Sequence, residues 1–197
     1  SWKDADGNFW LFGGYGFDAT TCDNLNDLWK FNPSNNQWTW MSGDNTINQL
    51  PVYGTQGTAN ISNKPGARYV SSSWTDPNGE LWLFGGYGYD VNGGNGYLND
   101  FWKYSPFSNT WTWVKGDNTI DHLGIYGTQG LACTGNKTGA RQGGVSWTDN
   151  EGNLWLFGGY GYDDSTSGIL NDLWKISSYN IVLPIKLIEF TGAYNNG

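Results

Sequence analysis

The chain has 197 residues, a formal net charge of −8, 17% aromatic residues with 13 Trp among them, and 30 Gly. The length allows one sizeable core, and the acidic balance disfavours nucleic acid and anionic lipid as partners. No apolar run is long enough to span a bilayer, and a composition rich in aromatics and Gly suits short strands with tight turns better than helices.

In chain order the first element is a fragment of strand at Ser1-Trp2, followed by the turn Lys3-Asp4-Ala5-Asp6-Gly7. Asp and Gly there supply side-chain bonds to the backbone and a positive φ. The apolar run Phe9–Phe12 reads as a strand buried on both faces, and Gly13-Gly14 as the sharp bend that ends it. A third strand covers Leu25–Phe31. A fourth, Gln37–Met41, alternates Trp-Thr-Trp with period two. The hairpin loop Asn32–Asn36 joins them.

The same text then repeats. Trp40 and Trp113 lie 73 residues apart, as do Tyr53 and Tyr126, and Arg68 and Arg141. The second unit gives a first strand at Tyr69–Trp74, a turn at Thr75–Gly79, an apolar run Leu81–Phe84, then Leu98–Tyr104 and Thr110–Val114. The third gives Gln142–Trp147, Thr148–Gly152, Leu154–Phe157 and Leu170–Ile176. Such self-similarity marks a repeat architecture in which each unit needs its neighbours to bury its faces. Trp29, Trp38, Trp40, Trp102, Trp111, Trp113 and Trp174 therefore read as filling between units. Asp27, Asp100 and Asp172 read as backbone-bonding groups at strand ends, not as catalytic carboxylates.

Long insertions, Asp44–Lys64 and Asp117–Lys137, follow the fourth strands, and both carry Tyr-Gly-Thr-Gln-Gly. Repetition of that text argues for an ordered role, either packed against a neighbour or forming a ligand-binding rim, with a flexible loop as the remaining reading. Strand direction puts the insertions on one face with the loops Tyr15–Asn24, Tyr87–Tyr97 and Tyr160–Ile169. On that face Tyr53, Gln56, Tyr126, Gln129, Tyr87 and Tyr160 are the candidate ligand-binding residues. Oxygen-rich loops can also hold calcium, and Asp90, Asp163 and Asp164 are the candidates for it.

The apolar run ending in Gly-Gly resembles the kelch repeat, as do the aromatic–Trp pairs Phe31/Trp38 and Tyr104/Trp111 with six residues between and the Arg68 and Arg141 that open first strands. The resemblance covers the chain to about residue 177. It implies an all-β fold of four-stranded antiparallel kelch-type β-propeller blades, forming an incomplete ring. The units are expected at 1–45 (first strand truncated), 66–116 and 139–180 (no fourth strand of its own). The insertions fall at 46–65 and 117–138, and residues 181–197 open a C-terminal region. The segment Leu183-Pro184-Ile185-Lys186-Leu187-Ile188-Glu189-Phe190 resembles the Leu-Pro-Val-x-Leu-x-x-Phe segment of proteins exported by the bacterial type IX secretion system. That implies contact with the secretion machinery and a place outside, or on the surface of, a Gram-negative cell. The chain starts at Ser1 without Met and reads as a processed or partial product.

Enzyme readings find little support in the sequence. His122 is the one histidine, which argues against the copper site of the kelch-type radical oxidases, and no Ser-His-Asp or Cys-His set can be assembled. Gly13-Gly14-Tyr15-Gly16 follows a strand but lacks the helix that a phosphate site needs. Cys22 and Cys133 fall at non-equivalent positions and read either as separate thiols or as a disulfide between loops. The expectation is a non-catalytic binding or adhesion module for a surface glycan or protein; the alternative is a structural passenger or subunit of a surface complex.

Overall fold

A computed structural model describes residues 1–176 and the backbone of 182–185. The rest of the tail, and with it most of the segment Leu183–Phe190, lies outside the described residues. All regular structure among them is β. The first sheet contains β1 (Trp2–Lys3), β2 (Phe9–Phe17), β3 (Cys22–Asn32) and β4 (Gln37–Ser42), in that order. The second contains β5 (Arg68–Tyr69) and β6 (Ser72–Thr75), both on β7 (Leu81–Tyr89), then β8 (Asn95–Ser105) and β9 (Thr110–Lys115). The third contains β10 (Arg141–Gln142) and β11 (Val145–Thr148) on β12 (Leu154–Tyr162), then β13 (Ser167–Ile176) and β14 (Val182–Ile185). Each is an antiparallel up-and-down blade.

The blades stand side by side. Their inner strands are laced by bonds that step one repeat each: Ser73 Oγ to Ser1 O at 3.0 Å, Ser146 Oγ to Ser73 O at 3.1 Å, and Thr148 Oγ1 to Thr75 O at 3.1 Å. Trp2 Nε1 donates to Trp82 O and Trp74 Nε1 to Trp155 O. The cores lie between blades. One unites Trp2, Trp10 and Leu28 with Leu81, Leu83, Trp102, Tyr104 and Trp111; the other unites Trp74, Phe84 and Phe101 with Leu154, Leu156 and Trp174. Each buried large side chain is worth about 1.5–3 kcal/mol and each neutral hydrogen bond about 1. Apolar packing therefore holds the blades together, and the Ser/Thr lacing sets their register.

Three sequence expectations change. The Gly-Gly pairs do not end the second strand. They form a bulge inside it, with register shifts at Phe12/Gly14, Phe84/Gly86 and Phe157/Gly159, and the strand runs on to Phe17, Tyr89 and Tyr162. The reason is close approach: a Cβ on Gly85, at φ 60°, would sit 2.6 Å from Arg141 O of the next blade. The first strands are likewise broken, at Val70 (φ 54°) and at its repeat equivalent Gly143 (φ 70°). Finally, the third blade has a fourth strand. Val182–Ile185 pairs antiparallel with β13, Pro184 opposite Trp174, where the sequence suggested the opening of a new region. Proline is tolerated there because β14 is an edge strand.

Not every Trp fills space between blades. Trp102, Trp111 and Trp174 are buried and Trp29 and Trp113 half-buried, but Trp38 and Trp40 on β4 are 53% and 48% exposed. In the first blade nothing described packs where a neighbour packs on the second. Cys22 and Cys133 are free thiols.

Candidate functional site

The repeated Asp at the middle of each third strand does not bond backbone. Asp100 is wholly buried and receives Arg68 through Nη1 at 2.5 Å and Nη2 at 2.7 Å, the Tyr53 hydroxyl at 2.7 Å and Trp102 Nε1 at 2.7 Å. Asp172 repeats the set with Arg141 at 2.6 and 2.8 Å, the Tyr126 hydroxyl at 2.7 Å and Trp174 Nε1 at 2.6 Å. Burial alone would raise the Asp172 carboxyl, but the Arg141 bonds and charge outweigh it and hold it below the usual carboxylate range. Burial would likewise lower the Arg68 guanidinium, yet the Asp100 charge prevails and raises it. Burial and the Asp100 charge push the Tyr53 hydroxyl far up, so it remains a neutral donor.

This arrangement explains the insertions. The first touches its own blade's β2–β3 hairpin through Asn48 N to Asn24 O (2.8 Å) and Asn48 Nδ2 to Asp23 Oδ2 (3.0 Å). It then crosses to the outer strand of the next blade. Gly57 N donates to Trp113 O, and Asn60 N and Asn63 Nδ2 to Trp111 O. Tyr53 lies 5.0 Å from Trp102 and 4.8 Å from Trp113, ring to ring. The second insertion begins alike, with Asp121 N on Tyr97 O and Ile120 N on Asp90 Oδ2. Tyr53, buried between blades, is thereby removed from the ligand-facing set. Tyr126 is half-buried, its hydroxyl engaged by Asp172. Gln56 and Gln129 sit exposed at the insertion tips.

The proposed calcium ligands do not converge. Asp90 is buried, and its Oδ1 caps its own turn through Asn92 N and Gly94 N at 2.9 and 2.7 Å. Asp163 Oδ1 does the same for Ser165 N and Thr166 N, while Asp164 is exposed. Among the described residues no group of three or more His, Cys, Asp or Glu side chains is placed to hold a metal ion. His122 meets Thr119 Oγ1 at 2.6 Å and lies 3.6 Å from an Asp117 already paired with Lys137.

Tyr87 and Tyr160 do come together, within a larger row. Tyr69 of β5 sits opposite Tyr87 of β7, and Tyr87 opposite Tyr97 of β8. Their rings touch at 5.6 and 5.2 Å. Tyr97 reaches across to the third blade, 5.7 Å from Tyr160 and 6.1 Å from Tyr162. Tyr69 reaches back to Tyr15 of the first blade at 6.4 Å. A continuous row of six tyrosines thus spans three blades at the loop face. Its ends are open: Tyr15 is 65% and Tyr160 44% exposed. Asp121 and Asp23 flank it, and burial followed by neighbouring negative groups raises the hydroxyls of Tyr97 and Tyr89. Tyr15, Tyr69, Tyr97 and Tyr162 were not singled out from the sequence. The first lies in the Gly-Gly-Tyr-Gly text shared by all repeats; Tyr69 and Tyr97 have Gln142 and Ile169 at the matching place, so the repeat pattern hides them.

Residues 5–39 match the Kelch motif family. No curated protein matches the chain. The solved structure of YjhT is similar to it at 21% identity with a TM-score of 0.42, over 76% of this chain and 34% of that one. The chain therefore spans about a third of that structure's length. The fold itself is read from the described residues: three antiparallel up-and-down sheets stand side by side like propeller blades, and the first of them carries the matched Kelch motif.

Proposed function

We propose that this kelch-repeat chain is a non-catalytic binding module whose ligand, a surface glycan, lies across the tyrosine row. The single observation carrying this reading is the ring-to-ring continuity from Tyr15 through Tyr69, Tyr87 and Tyr97 to Tyr160. Tyrosine offers an apolar face for a sugar ring together with a hydroxyl for its polar edge. The Asp- and Asn-rich loops beside the row supply further hydrogen-bond groups. An extended peptide with basic residues is the second reading, favoured by the net charge of −8 and by Asp121 and Asp23 beside the row. Export by a type IX system and display at a Gram-negative cell surface fit the tail segment Leu183–Phe190 and form part of the same proposal.

The test is a glycan array probed with the folded chain and with Tyr160→Ala. The proposal expects a defined set of glycans that the variant loses. A peptide array positive only for basic sequences would select the second reading. A folded chain that binds neither would leave a structural role in a surface assembly.

A further inference from the structure

The two insertions meet the strand that precedes them in different ways. In the second repeat Lys115, the last residue of β9, turns its ammonium onto the insertion and donates to Thr134 O at 3.2 Å and Asn136 O at 3.1 Å. In the first repeat, 73 residues back, Ser42, Ile61 and Asn63 stand at these three places. Serine is too short to make that reach. The space is instead a cavity of about 400 Å³ lined by Ser42, Ile61 and Asn63, with Met41 and Val52 as apolar wall. It opens to solvent past Ile61, which is 72% exposed. Among the described residues no N–H or O–H donates to Ile61 O or Asn63 O. Lys64 also lines the cavity, its charge met by Asp44 at 2.6 Å, as that of Lys137 near Lys115 is met by Asp117 at 2.6 Å. The second repeat thus holds two ammonium groups where the first holds one.

We propose that this cavity binds a primary alkylammonium group, the lysine side chain of a partner polypeptide. The equivalent position of the second repeat holds such a group already, supplied by the chain itself. Serine at position 42 removes the resident stem and ammonium but leaves both carbonyl acceptors and the apolar wall, Met41 and Val52 corresponding to Val114 and Ile125. A lysine stem lies well along apolar surface while its head meets polar partners, and bonds from a charged donor are the stronger ones. The net charge of −8 favours the approach of a basic partner. The cavity shares no residue with the tyrosine row, so it is independent of the glycan reading.

Nα-acetyl-lysine methylamide, titrated into the folded chain and followed by backbone amide NMR shifts, should saturate, with the largest shifts at Gly43, Ser62, Asn63 and Lys64. The norleucine counterpart keeps the apolar stem and lacks the ammonium, and should bind about tenfold more weakly or not at all. Ser42→Lys supplies a resident ammonium for Ile61 O and Asn63 O and should abolish binding with the melting temperature kept. Ser42→Thr leaves the cavity open and should retain binding. No saturation up to the solubility of the lysine probe overturns the proposal, as does equal binding of the norleucine probe or binding that survives Ser42→Lys. n-Butylammonium, the bare side chain, should bind no more tightly than the blocked lysine. Tighter binding would show that a peptide backbone is excluded, which assigns the cavity to free amines and overturns the polypeptide source.

Discussion

Arg68 and Asp100 meet in a two-pronged ion pair at 2.5 and 2.7 Å, neither side chain exposed, with the Tyr53 hydroxyl on the same carboxylate. The three residues come from the first strand, the third strand and the preceding insertion. One charge pair therefore ties a blade to the loop that arrives from its neighbour. Breaking a buried pair leaves an uncompensated charge, which costs about 3–5 kcal/mol. Arg68→Ala should lose that much in urea unfolding. Arg141→Ala should lose less, because Asp172 keeps some exposure to water. Lys64→Ala, which breaks a half-exposed pair with Asp44 at 2.6 Å, should cost at most about 1 kcal/mol.

Removal of one hydroxyl probes the insertion's part in this. Tyr53→Phe keeps the ring between Trp102 and Trp113 but leaves Asp100 short of a donor. We expect a loss of about 1–3 kcal/mol, measured as a lower urea midpoint with an unchanged slope.

Val70 holds φ 54° while its repeat equivalent is Gly143 at φ 70°. A β-branched residue in the left-handed region is strained by roughly 1–2 kcal/mol or more, and the half-exposed Val70 side chain returns little burial energy. Val70→Gly should raise stability by about 0.5–1 kcal/mol after the entropy cost of glycine, and Gly143→Val should lower it. Thermal unfolding of both variants checks the pair.

Gly85 and Gly79 both have positive φ, but only Gly85 faces a neighbouring blade. Gly79→Ala meets open space and should cost about 1 kcal/mol from backbone strain alone. Gly85→Ala places a methyl 2.6 Å from Arg141 O and must push blades apart, adding about 1–3 kcal/mol. Equal melting temperatures for the two variants would contradict this account of blade spacing.

Acid should unfold the chain between about pH 4 and pH 2. The Trp155 indole N–H, with Asn153 and Glu151, brings the Asp149 carboxyl down to about 2 despite its exposure, and Asp172 and Asp117 are also held below the ordinary range. Folded values lie below unfolded ones near 4, so these groups stabilise the fold above that range and lose the effect as pH falls through their depressed values. At the alkaline end, burial raises Tyr104 to about 12, so stability falls once the unfolded chain ionises near 10. A pH series of melting temperatures reads both limbs.

Blades and turns were legible in the sequence because they repeat. The Asp-x-x-Gly turns formed as expected, with Gly7, Gly79 and Gly152 at φ 85°, 79° and 81°. The role of Asp100 was not legible: besides the adjacent Trp102, its partners Arg68 and Tyr53 sit 32 and 47 residues away, and no local pattern links them to it. The same distance hid Tyr53, which looks like a loop tyrosine until the insertion is seen to cross to the next blade. The tyrosine row escaped for a different reason. It joins residues at non-equivalent repeat positions, Tyr69, Tyr97 and Tyr160, and only the sheet register brings them side by side.

The most direct measurement is calorimetric titration of an array-selected oligosaccharide into the folded chain, alongside Tyr160→Ala and Tyr15→Ala. Both residues are exposed and outside the cores between blades, so both variants should melt within about 0.5 kcal/mol of the parent. The account predicts saturable binding weakened about tenfold or more by either change, since each stacking contact is worth about 0.5–1.5 kcal/mol beyond its buried area. Binding that neither change affects would place the ligand elsewhere and contradict it.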